Sequence, residues 1–146
     1  MMIKLLLPAL VLGFSPLIVF ADTKLIDVDI LESRQVHDVA KITPLAIVDG
    51  KPMVLLLDLP AGGVVPPHAT ESESGLRLLT VISGNLHWGD GTEMDQEQER
   101  VFPAGSVLVV SEQDPHWLAA RDGALQLQLV TLARDTPVPG IQEQLE

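Results

Sequence analysis

Leu125, Leu127 and Leu129 alternate with Gln126 and Gln128, the period-two pattern of a strand with one face buried and one wet. Short apolar runs recur upstream at Met53 to Leu59, Val64 to Thr70, Arg77 to Ile82, Asn85 to Trp88, Ser106 to Val110 and His116 to Ala120. Turn chemistry separates them. Asp49-Gly50 predicts a two-residue hairpin. Pro60-Ala61-Gly62-Gly63, Glu71 to Gly75, Ser83-Gly84, Gly89-Asp90-Gly91 and Phe102-Pro103-Ala104-Gly105 predict further turns, and Asp122-Gly123 a second hairpin. No stretch before the tail carries a helical period. Many short strands between such turns predict an all-β sandwich or barrel, and closing the sheet removes its exposed edges. Leu25, Ile26, Val28 and Ile30 suggest an edge strand, while the segment from 31 to 47 reads equally as strand or loop.

The first 21 residues break the pattern. Lys4 is followed by an uncharged apolar run ending in Val19-Phe20-Ala21, the charged, apolar and small-residue parts of a secretory signal cleaved after Ala21. A membrane span is the competing reading, but it wants about 20 apolar residues, and this shorter run contains Pro8 and Pro16. Residues 22–136 then form one domain and 137–146 a loose tail with at most one helical turn. The expected location is the periplasm or the exterior.

Composition narrows the partners. The chain has 146 residues, with nine Lys and Arg against twenty Asp and Glu. Cleavage removes Lys4, leaving eight against twenty and a net charge of -12. A chain this acidic lacks the basic footprint that nucleic acid or an anionic membrane surface requires. With zero cysteines its stability rests on the core alone. Glu93, Asp95, Glu97 and Glu99 occupy every second position and read as a solvated loop or edge strand before they read as metal ligands.

Strand parity sorts the candidate chemistry. Val64, Pro66, His68 and Thr70 point one way, and Val65, Pro67 and Ala69 the other. Arg77 shares a face with Leu79 and Val81. Leu86 and Trp88 look like the core face, so His87 points away from it, and His37 reads as a surface residue. Trp88 and Trp117 read as core or rim aromatics and as candidate walls of a ligand site.

These residues fall on a known pattern, and the chain resembles a single-domain cupin, a double-stranded β-helix or jelly-roll barrel. The first cupin motif is matched by Gly62, His68 and Gly84, with Thr70 at the second His position and Arg77 at the Glu position. The second is matched by Gly105 and His116, with Ser111, Gln113 and Ala120 at its Pro, Gly and Asn positions. The resemblance covers Val54 to Leu132. It implies a divalent metal such as Fe, Mn, Ni, Cu or Zn inside the barrel, held by His68 and His116. Two imidazoles leave such an ion under-coordinated. Glu71 and Glu73, brought in by a longer hairpin, are candidates to complete a two-His, one-carboxylate set. Solvated carboxylates are the competing reading for both.

Three functional readings follow. The first is a metal-dependent dioxygenase or isomerase acting on a small organic compound, with unassigned catalytic residues. The second is a binding module without metal, in which Arg77, Thr70 and the two histidines, His68 and His116, fix a small anion. The third is a structural or interaction protein with a vestigial site. The resemblance also suggests a homodimer, formed through Leu25 to Ile30.

Overall fold

The computed structural model describes residues 23–70, 75–133 and 135–142. The segment read as a secretory signal, Glu71 and Glu73 lie outside that range. Ten antiparallel strands form two sheets: β1 (Arg34–Val36), β2 (Ala40–Val48), β3 (Lys51–Leu59), β4 (Val64–His68), β5 (Leu76–Ser83), β6 (Asn85–Asp90), β7 (Arg100–Pro103), β8 (Val107–Ser111), β9 (His116–Ala119) and β10 (Leu125–Leu132). One sheet runs β1-β2-β3-β10-β5-β8 and the other β4-β9-β6-β7. A single helical turn, Pro139–Gln142, follows near the C-terminus.

The core lies between the sheets. Leu55, Leu57 and Leu59 of β3, Leu79 and Val81 of β5, and Leu125, Leu127 and Leu129 of β10 face Val65, Leu86, Trp88 and Leu118 from the other sheet. The alternation expected of β10 is observed, and Gln126 on its opposite face donates to Asp58 Oδ1 at 2.9 Å. Asp49 and Gly50, both at positive φ, form the two-residue turn between Val48 and its partner Lys51.

The chain changes sheets at corners containing the motif glycines. At Gly84, φ is 81°, and a Cβ would run into the carbonyl of Ala124. Only glycine tolerates both constraints. The corner after β7 is stitched to β5 through Gly105 N to Val81 O, 2.8 Å, and Val81 N to Ser106 O, 2.9 Å.

Three sequence expectations are corrected and one open segment is settled. Leu25 to Ile30 is not a strand; it ends in a 3-10 turn, Val28–Ile30, capped by Asp27, and β1 forms the sheet edge. The open segment resolves into β1, a turn at His37 and Asp38, and β2. Gly89 and Asp90 belong to β6, with the indole of Trp117 packed where a side chain on Gly89 would stand. Asp122-Gly123 closes no hairpin, because β9 and β10 lie in different sheets.

Candidate functional site

A partly open cavity of about 280 Å³ lies inside the barrel, walled by apolar side chains that include Leu55, Leu57, Leu127 and Leu129. His68, His116, Thr70, Arg77 and Trp88 all border it, as do His37 and Glu112. Strand parity alone does not deliver His68 there. Val65 pairs with Leu118 and His68 with His116, three steps along β4 against two along β9. The extra residue is a β-bulge at Pro66-Pro67, where two prolines have no N–H to give the ladder. It turns His68 onto the face of Val65, opposite to the simple alternation.

His68 and His116 then stand directly across the ladder, ring centres 4.5 Å apart. His68 Nδ1 lies 2.9 Å from the carbonyl of Pro66, and His116 Nδ1 lies 2.7 Å from that of Asp114. A carbonyl carries no proton, so each Nδ1 is the donor and each neutral ring presents a bare Nε2. Burial lowers the pKa of both rings below the usual imidazole value. The backbone hydrogen bonds oppose that shift, and Arg77 adds to it. His116 also stacks on Trp88, 4.6 Å between centres at 15°.

Two groups join the site that the sequence reading does not place there. His37, at φ 50° in the β1–β2 turn, sets its ring 4.6 Å from that of His68. Glu112 is 4% exposed and ion-pairs with Arg77, whose side chain is 31% exposed. Arg77 therefore pairs with a carboxylate from the end of β8. Glu112 continues the inward parity of Leu108 and Val110, a signal present in the sequence. His37 has no such signal, because a positive-φ turn decides where its ring goes.

The remaining candidates separate. Trp88 lines the cavity, and its Nε1 donates to Asp90 Oδ1 at 2.7 Å. Trp117 lies on the other face of β9, buried across from Gly89 and away from the cavity. Thr70 borders the cavity, and its N–H donates to the carbonyl of Glu112 at 2.7 Å. A larger cleft of about 510 Å³ runs along β8, with Trp88, Val110 and His116 forming a wall shared with the inner cavity. His87 faces outward but is not simply solvated: it lies between Glu99 Oε2 at 3.1 Å and Asp122 Oδ2 at 2.9 Å. Glu99 also accepts two hydrogen bonds from Arg121 Nε.

As a metal site, the pair fits in chemistry and is short in number. An Nδ1 held by a carbonyl with a free Nε2 is the arrangement that orients metal-ligating histidines. Among the described residues, however, no group of three His, Asp or Glu side chains is placed to hold an ion.

Two antiparallel sheets closed into a barrel with glycine corners, and histidines meeting inside, define a cupin fold. No protein-family profile matches the sequence, and no curated protein sequence matches it either. Solved structures do match in shape. The polyketide cyclase RemF from Streptomyces resistomycificus superposes with a TM-score of 0.59 at 14% identity, over 75% of this chain and 78% of that one. A cupin superfamily protein from Desulfitobacterium hafniense gives 0.53 at 18%, over 79% and 94%. Hydroxypropylphosphonic acid epoxidase from S. wedmorenis gives 0.57 at 22%, over 75% of this chain but 59% of the epoxidase. At these identities the likeness shows the fold, which is shared with enzymes of differing chemistry.

Proposed function

We propose that this chain is an exported small-molecule cupin, in which His68 and His116 anchor a divalent transition metal and the inner cavity takes a small organic compound. The carrying observation is the pair of neutral, tautomer-locked imidazoles facing one another across β4 and β9. Imidazole nitrogen suits Fe, Mn, Ni, Cu or Zn. An ion held there supplies Lewis-acid or oxygen-activating chemistry. The chain's own residues bind and orient. The leucine walls exclude water, Trp88 fixes the His116 ring, and the carbonyls of Pro66 and Asp114 hold each Nε2 available.

Two further observations favour this reading. Glu112 offsets the charge of Arg77, which weakens both its repulsion of a cation and its grip on a ligand carboxylate. Among the neighbours, the hydroxypropylphosphonic acid epoxidase is solved in an Fe(II) form and in complex with fosfomycin. Oxygenase chemistry is the first activity to assay, with isomerase chemistry second.

Metal analysis of the purified chain tests the proposal. The expected result is about one equivalent of transition metal per chain, lost in the His68→Ala, His116→Ala variant. A folded protein that stays metal-free after incubation with Fe(II), Mn(II), Ni(II), Cu(II) and Zn(II) would falsify it. Export is tested separately, the mature protein being expected to begin at Asp22.

A further inference from the structure

We propose that the inner cavity takes a small organic anion, a carboxylate on an apolar body, and that Arg34 and His37 at its mouth receive the charge. This rests on the reading of the cavity as a small-molecule site. It names the class of compound and two residues that bind it, neither of which the metal centre uses.

Charge is spread unevenly over this chain. Acidic residues outnumber basic ones twenty to nine, yet two of the five arginines and three of the four histidines border the inner cavity. Among the described residues, Glu112 is the one carboxylate on that wall. The larger cleft has the opposite balance, with Asp90 and Asp114 against Arg100. A positive recess in an acidic surface concentrates anions and turns cations away.

The two cations on the wall differ in what they have left to give. Arg77 is engaged by Glu112. Arg34 is not engaged: among the described residues no carboxylate pairs with it. Strand register aims it inward. Arg34 pairs with Ile42 and Val36 with Ala40, and cross-strand partners share a face. Arg34 therefore lies with the buried Ile42 and Ala40, while Gln35 and Lys41 face outward. Its planar fork can meet both oxygens of a carboxylate.

His37 is the second donor. His68 and His116 each commit Nδ1 to a backbone carbonyl, whereas among the described residues no hydrogen bond engages either ring nitrogen of His37. Such a ring offers an N–H in either tautomer. The turn that presents it is not a relaxed one. His37 and Asp38 both adopt positive φ, 50° and 58°, and Gln35 Nε2 pins the turn by donating to the Asp38 carbonyl at 2.6 Å. Below this polar mouth, Leu55, Leu57, Leu127 and Leu129 suit the hydrocarbon end of the compound, and a volume of about 280 Å³ keeps it small.

Benzoate and benzamide test the proposal, because they match in shape and differ in charge. Both are titrated by calorimetry into the folded, chelator-treated chain, so that coordination to a bound ion plays no part. Benzoate is expected to bind about fivefold more tightly or better at low salt. Arg34 and His37 are both exposed, so the advantage should shrink in about 0.5 M salt. Arg34→Gln should erase most of it and leave benzamide unchanged. His37→Asn, which keeps a residue that tolerates positive φ, should erase part of it. Lys51→Gln removes an exposed cation away from the cavity and should leave the preference intact, which separates a local grip from net charge. Equal binding of the two probes, binding of neither, or a preference that survives Arg34→Gln would overturn the proposal. Arg34→Gln should still take up metal as the parent does, so failure here is distinct from failure of the metal centre.

Discussion

Glu112 brings a charge onto the inward face that Leu108 and Val110 begin. Taking an ionised carboxylate out of water is costly unless a partner answers it, and Arg77 is that partner. Removing one member should cost more than removing both. Glu112→Leu alone is expected to destabilise the protein by about 3 kcal/mol, with Arg77→Met, Glu112→Leu together recovering most of the loss. Urea denaturation of the two variants checks this, and strictly additive costs would contradict it. Gly89 makes a second case at the same scale. Its missing side chain is the space that the Trp117 indole fills, so Gly89→Ala should destabilise by about 1–3 kcal/mol or more through overpacking. A thermal melt unchanged from the parent would show that the indole moves aside at no cost.

At the scale of elements, the strand pattern was legible wherever strands alternate without interruption, as in β10 and the stretch from Arg77 to Val81. It misled where local chemistry breaks the ladder. Pro66-Pro67 puts His68 on the face opposite to its parity, and a fully extended reading of β4 cannot show that. The corner at Asp122-Gly123 looks like a hairpin turn because turn residues serve both purposes; only the sheet order tells them apart. The acidic segment before β7 was legible as a loop, but not the inward turn of Glu99, which is 5% exposed beneath Arg121. Through Glu99 and Asp122, His87 of β6 is tied to the starts of β7 and of the β9–β10 corner. Hydrogen bonds from Arg121 hold the Glu99 pKa below its usual 4.5 against the opposing effect of burial, and His87 holds that of Asp122 below 3.8. Carboxylates shifted down in the folded state stabilise it above their unfolded pKa values, and the contribution fades as pH falls through the folded ones. The melting temperature should therefore fall below about pH 4.5, and Glu99→Gln should flatten that acid limb while lowering stability at neutral pH. A parallel downward shift at every pH would assign the acid loss to other carboxylates.

For the whole molecule, the decisive feature is that the strand completing the larger sheet comes last. β10 lies between β3 and β5, pairing Leu125 with Leu59 on one side and Leu129 with Leu79 on the other. Until it docks, two strands of that sheet have unpaired edges, and the core lacks Leu125, Leu127 and Leu129. Local hairpins such as β2–β3 therefore cannot stabilise the barrel by themselves, and closing the long loops must precede most of the reward. Such non-local topologies fold on a scale of about milliseconds to seconds. The chain should accordingly unfold in one cooperative transition, and a chain ended after Gly123 should show neither dispersed amide resonances nor a sigmoidal melt. Single substitutions grade the same claim: Leu127→Ala, at a position with 0% exposure, should cost about 2–5 kcal/mol. Leu25→Ala, at 93% exposure, should cost almost nothing in dilute solution. A Leu25→Ala variant whose melting temperature drops only at high protein concentration would place that exposed segment at a contact between copies, because association stabilises the folded state by mass action. A melting temperature equal to the parent's at every concentration would leave the homodimer without this support.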